Sequence, residues 1–238
     1  MATSKNPAYG TPNWEMIGRW LELPADDDGP FWALNLMKYR TVANYDDDAG
    51  STVSGKEADD AYAPLGPLAA IGAMVAFHGD VVEQRVGQPS WDRIGVVRYP
   101  SRAAFFAMQQ RDDFKEQHVH KEAGMEFTIV MSCLPTAFDV RGAEGALVLS
   151  VVRGGPAPAE VQLPAGVTPV ATFAVEGVIV GDERSFDHAR FDRVADDDAL
   201  AALVAMAAAS DEAHVLVVDP AIDNLVASIP SAPTAAEA

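Results

Sequence analysis

The chain has 238 residues, 49% of them hydrophobic, and 35 acidic against 17 basic side chains, for a formal net charge of −18. That length suits one large or two small domains, and that charge disfavours nucleic acid and anionic membrane surfaces, which are gripped through Lys and Arg. A single cysteine, Cys133, rules out an intramolecular disulfide and a cysteine metal cluster; with no apolar leader and no run of the roughly 20 apolar residues a bilayer needs, the sequence reads as soluble and cytoplasmic.

Residues 1–10 read as disordered. Thr11-Pro12 reads as a helix start, with Trp14, Ile17 and Leu21 at helical spacing until Pro24. A turn through Gly29-Pro30 introduces the most apolar strand, Phe31 to Arg40. Alternation puts Trp32, Leu34 and Leu36 on one face, expected to pack under helices. Phe31, Ala33, Asn35, Met37 and Tyr39 share the other, expected to line a cavity.

A polar loop carrying Asp46-Asp47-Asp48 follows; it lacks the alternating ligand spacing of a calcium loop and reads as solvated. A helix is expected from about Gly55 to Ala73, bent near Pro64 and Pro67. Strands follow at Met74–Val86, with Gly79 at a bulge, and at Trp91–Tyr99. Ser101 caps a helix to about Ala123, and a strand from Glu126 to Cys133 ends at Pro135. The order strand–helix–strand–strand–helix–strand is ferredoxin-like.

The second half echoes the first. Trp91-Asp92-Arg93-Ile94 aligns with Phe186-Asp187-His188-Ala189 at an offset of 95, which also sets Pro135 on Pro230. Phe77-His78-Gly79 aligns with Val175-Glu176-Gly177 and Asn35 with Ser150. Residues 154–168 replace the first helix with a short Gly- and Pro-rich stretch. The expected fold is α+β: tandem ferredoxin-like βαββαβ repeats whose two antiparallel sheets form an intrachain pseudo-dimeric α+β barrel. The expected parts are an N-terminal tail and helix (1–30), a first domain (31–135), a linker (136–144), a degenerate second domain (145–230) and a tail (231–238).

From about Asn13 to Pro135 the sequence resembles the "domain of unknown function 1330" family. The resemblance rests on Gly29-Pro30 leading into Leu34-Asn35-Leu36-Met37-Lys38-Tyr39, on Gly55-Lys56-Glu57-Ala58 with Tyr62 downstream, and on Trp91-Asp92 and Val97-Arg98-Tyr99-Pro100-Ser101-Arg102-Ala103-Ala104-Phe105. It implies the dimeric α+β barrel superfamily, which includes muconolactone isomerases, antibiotic-biosynthesis monooxygenases and haem-degrading enzymes. It implies no agreed activity. Family members are about half this length and pair as dimers, so a fused second copy leaves monomer and homodimer both open.

Strand parity nominates Asn35, Met37, Tyr39, Trp91 and Arg93 as the lining of an apolar cleft for a small acidic or aromatic molecule. The plain alternative is that Asn35 bonds locally and Arg93 pairs with a carboxylate. His188 aligns with Arg93, and the two would face one another as a positive floor for an anion. His78, beside the bulge, is the candidate general base, against a satisfied structural histidine. His118 and His120 lie two apart on a helix, about 200° around its axis, and cannot share one ion; one of them could hold haem, as haem-degrading relatives use a helix histidine. Cys133 reads as a buried small hydrophobe, and Asp196-Asp197-Asp198 as a helix cap. The sequence thus points to a small-molecule cavity with no cofactor and no metal, in an isomerase, cyclase or monooxygenase-type enzyme, a non-catalytic binder or a haem protein.

Overall fold

A computed structural model describes residues 7–45, 52–138, 144–155 and 161–229. The elements run β1 (Thr11–Pro12), α1 (Trp14–Leu21), β2 (Phe31–Tyr39), α2 (Gly55–Ala61), α3 (Leu65–Ala70), β3 (Met74–Val86), β4 (Arg93–Tyr99), α4 (Arg102–Gln110), α5 (Asp112–Gly124) and β5 (Met125–Phe138). The second half adds β6 (Ala146–Arg153), β7 (Val167–Gly181), β8 (His188–Val194), α6 (Asp197–Ala207), β9 (Glu212–Asp223) and α7 (Leu225–Ser228).

Every strand pairing is antiparallel, in the order β7-β5-β2-β4-β3-β9-β6-β8, and β8 returns to β7. The eight long strands therefore close a barrel, which removes exposed sheet edges. The seams between the halves are β3–β9 and β5–β7. Within each half the fourth strand lies beside the first, and the third lies between the first and the second.

An eight-stranded barrel is just wide enough for side chains to fill it. Trp32, Leu34, Leu36, Phe77, Ile94, Met131, Phe173, Phe191 and Leu216 do so, together with the buried Cys133. The opposite face of β2 packs under helices, where Phe31 and Ala33 meet Met16, Trp20, Leu68, Met108 and Phe114. The expected grouping of alternate residues holds, but the two faces are exchanged. Since both faces of β2 are buried, alternation alone carried no sign for inside and outside.

The caps explain most helix boundaries. Ser54 and Glu57 form a reciprocal capping box on α2, Ser101 Oγ accepts from Ala104 N–H, and Asp196 Oδ1 accepts from Ala199 N–H. Other boundaries differ from expectation. Asn13, not Thr11, caps α1, because Thr11-Pro12 pairs with Val180 and Gly181. On α1 the buried residues are Met16 and Trp20, while Trp14 and Leu21 stand exposed. Tyr62 to Pro64 interrupts the first expected helix, and Arg111, in extended backbone, interrupts the second. Strand β4 begins at Arg93 rather than Trp91. Strand β5 continues past Pro135 to Phe138, with the missing N–H accommodated at a register shift. Tyr9, expected in a disordered tail, is buried against His118. The Asp46-Asp47-Asp48 loop, Pro230, the tail from 231 and parts of the 136–144 and 154–168 stretches lie outside the described residues.

Register corrects the internal alignment. Asn35 lies opposite Gly95 and Ser150 opposite Arg190, in line with the offset of 95 on the third strand. His78 also faces Gly95, whereas Thr172 faces Arg190, so Thr172 and not Glu176 occupies the position of His78. Val130 faces Asn35 and Val215 faces Ser150, which sets Pro135 against Pro220 rather than Pro230.

Candidate functional site

The cavity best suited to a small molecule lies outside the barrel, between the first-half sheet and helices α2, α3 and α5. Its volume is about 300 Å³. Met37, Leu65, Leu68, Val75 and Val97 supply apolar walls; Asn35, Tyr62, His78, Arg93 and Lys121 bring polar groups to it, and the carboxylates of Asp59 and Asp60 also border it. Gly95 floors it: a Cβ there would stand 3.2 Å from Met37 Cε, so a larger side chain would fill the space. A larger depression, about 1330 Å³, is an open groove in which Arg184 and Asp182 bond to each other.

Of the expected residues, the structure brings Asn35, Met37, His78 and Arg93 together here. Tyr39 stands behind this wall. Its phenol donates to Asp59 Oδ2 at 2.6 Å, and burial, followed by the Asp59 charge, pushes its pKa far up. Trp91 is on the other side of the sheet, inside the barrel, where its indole N–H donates to His214 Nδ1 at 3.2 Å. His188 lines a separate cavity on the second-half sheet and does not face Arg93.

Arg93 is no open cation. Its Nη1 donates to Asp59 at 3.0 Å and Asp60 at 2.7 Å, and its Nε donates to Asp80 at 2.7 Å. Arg93 and Asp59 side chains are only 4% and 5% exposed, so each holds the other's charge out of water. Two of these carboxylates sit on α2, one behind the Ser54 cap, and they fasten that helix to β3 and β4. Asn35 is likewise bonded locally, its Nδ2 donating to the Ala33 carbonyl at 3.1 Å.

The open cation is Lys121, which the sequence reading passed over. It stands half-buried on α5. There it lies 5.8 Å from the Tyr9 ring centroid and 5.7 Å from that of Tyr62, and donates to Asn35 Oδ1 at 3.4 Å. Among the described residues no carboxylate comes within ion-pair distance of it. Burial holds its pKa below that of ordinary lysine, with Asp59 opposing. The available signal was helical spacing: Phe114, His118 and Lys121 fall on one face of α5.

His78 makes no side-chain hydrogen bond among the described residues. Burial, then the Arg93 charge, lowers its pKa, against the pull of Asp59, Asp80 and Asp60, which favours the neutral imidazole. His118 and His120 are separated as the helical geometry requires. His118 Nε2 bonds the Tyr9 hydroxyl at 3.0 Å and His120 Nδ1 that of Tyr45 at 2.9 Å. Burial depresses the pKa of His118 to about 4. No group of three metal-ligating side chains occurs among the described residues, and no described helix is long and apolar enough to cross a membrane.

No family model matches the chain, and no curated protein does. Among solved structures it is similar to RPA0582, a protein of unknown function from Rhodopseudomonas palustris. That crystal structure is 26% identical, with a TM-score of 0.47, and the match covers 55% of this chain and 98% of the other. The structure of methylated RPA0582 is also 26% identical, with a TM-score of 0.48, covering 55% of this chain and 97% of the other.

Proposed function

We propose that this chain is a cytoplasmic tandem ferredoxin-like protein, a pseudo-dimeric α+β barrel with domains at 31–135 and 145–230. Its first-half cavity takes a small, partly apolar anion. One observation carries the reading: Lys121 brings its ammonium beside the Asn35 amide in a largely apolar cavity whose carboxylates, Asp59 and Asp60, are bonded to Arg93, and among the described residues none of them pairs with Lys121. A charge partly withdrawn from water is costly unless paired, and a ligand carboxylate or enolate would pair it. Such a ligand would set its apolar body against Met37, Leu68 and Val97. His78, neutral and unbonded on the same wall, would exchange a proton at the ligand's acidic carbon. Lys121 would hold the developing enolate charge in a site of low dielectric. The chemistry is proton transfer of the isomerase or cyclase kind, without a cofactor.

A non-catalytic binder is the second reading. It is favoured by the absence of any hydrogen bond orienting His78, since a general base is usually held by a third group.

Both readings are tested with phenylpyruvate, an enolisable aromatic keto acid, and the apolar anion anilinonaphthalene sulfonate. The wild type binds the dye, phenylpyruvate displaces it, and two variants each weaken binding about tenfold or more: Lys121→Met by the loss expected for a charge-assisted hydrogen bond, and Gly95→Leu by filling the cavity. Solvent deuterium uptake into phenylpyruvate above the buffer rate, abolished in His78→Ala with displacement retained, supports the enzyme. Displacement without acceleration supports the binder. Unchanged affinity in both Lys121→Met and Gly95→Leu removes the cavity from either reading.

A further inference from the structure

The second half has its own cavity at the corresponding place on its sheet, about 90 Å³ in volume, between β6, β8 and the end of α6. Two buried polar atoms without partners border it, beside an arginine with donors to spare. Ser150 is 5% exposed, and its Oγ has no hydrogen bond; His188 Nδ1 is buried and has none. Arg190, 8% exposed, spends its Nε on Asp192, at 2.8 and 2.9 Å from the two carboxylate oxygens, and its two Nη atoms bond nothing among the described residues. Buried polar groups are almost always satisfied, so two buried orphans, Ser150 Oγ and His188 Nδ1, around one void that also holds the unbonded Arg190 Nη groups point to a missing occupant.

The registers explain how the site arose. Ser150 stands where the first half has Asn35, His188 where it has Arg93, and Arg190 where it has Gly95. The glycine leaves the first cavity open to a cation reaching in from a helix. In the second half the arginine fills much of that space and supplies the cation from the strand itself.

We propose that this cavity is a second binding site, for a short-chain monocarboxylate such as propionate. The carboxylate oxygens would accept from the Arg190 Nη groups, from Ser150 Oγ–H, and from His188 in its Nδ1–H tautomer. The alkyl end would lie against Val152, Val161 and Met206, which also line the void. Those apolar walls disfavour inorganic phosphate, whose four oxygens would all need polar partners.

The test is titration of the full chain with propionate by calorimetry, with inorganic phosphate as competitor. The wild type shows saturable binding that phosphate does not displace. Ser150→Val and Arg190→Gln each weaken it about tenfold or more, while Lys121→Met and Gly95→Leu leave it unchanged. Since Arg190→Gln leaves Asp192 unpaired, the Arg190→Gln/Asp192→Asn pair serves if the single variant does not fold. Absence of saturable binding, equal competition by phosphate, or loss in Lys121→Met with retention in Ser150→Val each overturns the proposal. The last would place propionate in the first cavity and leave that reading intact.

Discussion

Removing Arg93 would strip the buried Asp59 carboxylate of its ion-pair partner. The Tyr39 hydroxyl would still donate to it, but a phenol does not neutralise a carboxylate. Arg93→Met is therefore expected to cost about 3–5 kcal/mol, the range for breaking a buried ion pair from one side. Adding Asp59→Asn removes the stranded charge and should restore a large part of that loss. Urea denaturation of the two variants decides it. A single-variant cost under about 1 kcal/mol, typical of exposed pairs, would mean the network is structurally idle. Residues such as these were hard to read from the sequence. The plain alternative for Arg93, pairing with a carboxylate, holds, but its partners could not be named because they lie 33 and 34 positions upstream, on a helix of ordinary polar composition, and 13 positions upstream, on β3. Lys121 is hidden differently: α5 is so rich in charge that its inward cation resembles the rest of the polar surface.

At the scale of elements, the cavity depends on two helices meeting at glycines. The start of α2 and the end of α5 pack backbone against backbone beside Arg40, whose N–H donates to the Gly124 carbonyl at 2.9 Å and whose carbonyl accepts from Gly55 N–H at 3.0 Å. A Cβ on Gly124 would overlap the Gly55 carbonyl oxygen and come within 3.0 Å of Ala58 Cβ. Gly124→Ala should thus cost about 1–3 kcal/mol through forced backbone movement. It should also weaken dye binding, because α2 carries Asp59 and Asp60 and α5 carries Lys121. Gly18→Ala on α1 is the control. Its Cβ meets nothing within 4 Å, so the change should be neutral or stabilise by about 0.5–1 kcal/mol. Thermal melts and dye titration on both variants check this; equal behaviour would refute the close-contact account. Elements were the most legible level. Caps, turn residues and alternation located the strands and most helices, because those signals are local. What alternation lacked was which face of a doubly buried strand turns inward, and that is settled by the strands β7 and β9 contributed from the other half.

For the whole molecule, closure of the barrel is the dominant fact. All eight long strands send residues into one shared interior, so neither half owns a complete core. Cutting the chain after Phe138 would expose the apolar inner face of four strands. It would also free two edges, β3 and β5, that β9 and β7 now cover. Exposed edges and apolar faces of that extent drive association. The edges are complementary in kind: β9 is the fourth strand of its half and β7 the second, the same ranks as β5 and β3. A second copy of the first half can therefore offer its β5 to β3 and its β3 to β5, closing an eight-stranded barrel by two-fold symmetry. A fragment of residues 7–138 is accordingly expected to be a homodimer by native mass spectrometry and light scattering, with a concentration-dependent melting temperature. A folded, soluble monomer would show that the first half completes its own core, and the duplication reading would lose its main physical support. An unfolded or aggregated fragment rescued by co-expressed residues 144–229 would show instead that the seams have diverged enough to pair only with each other.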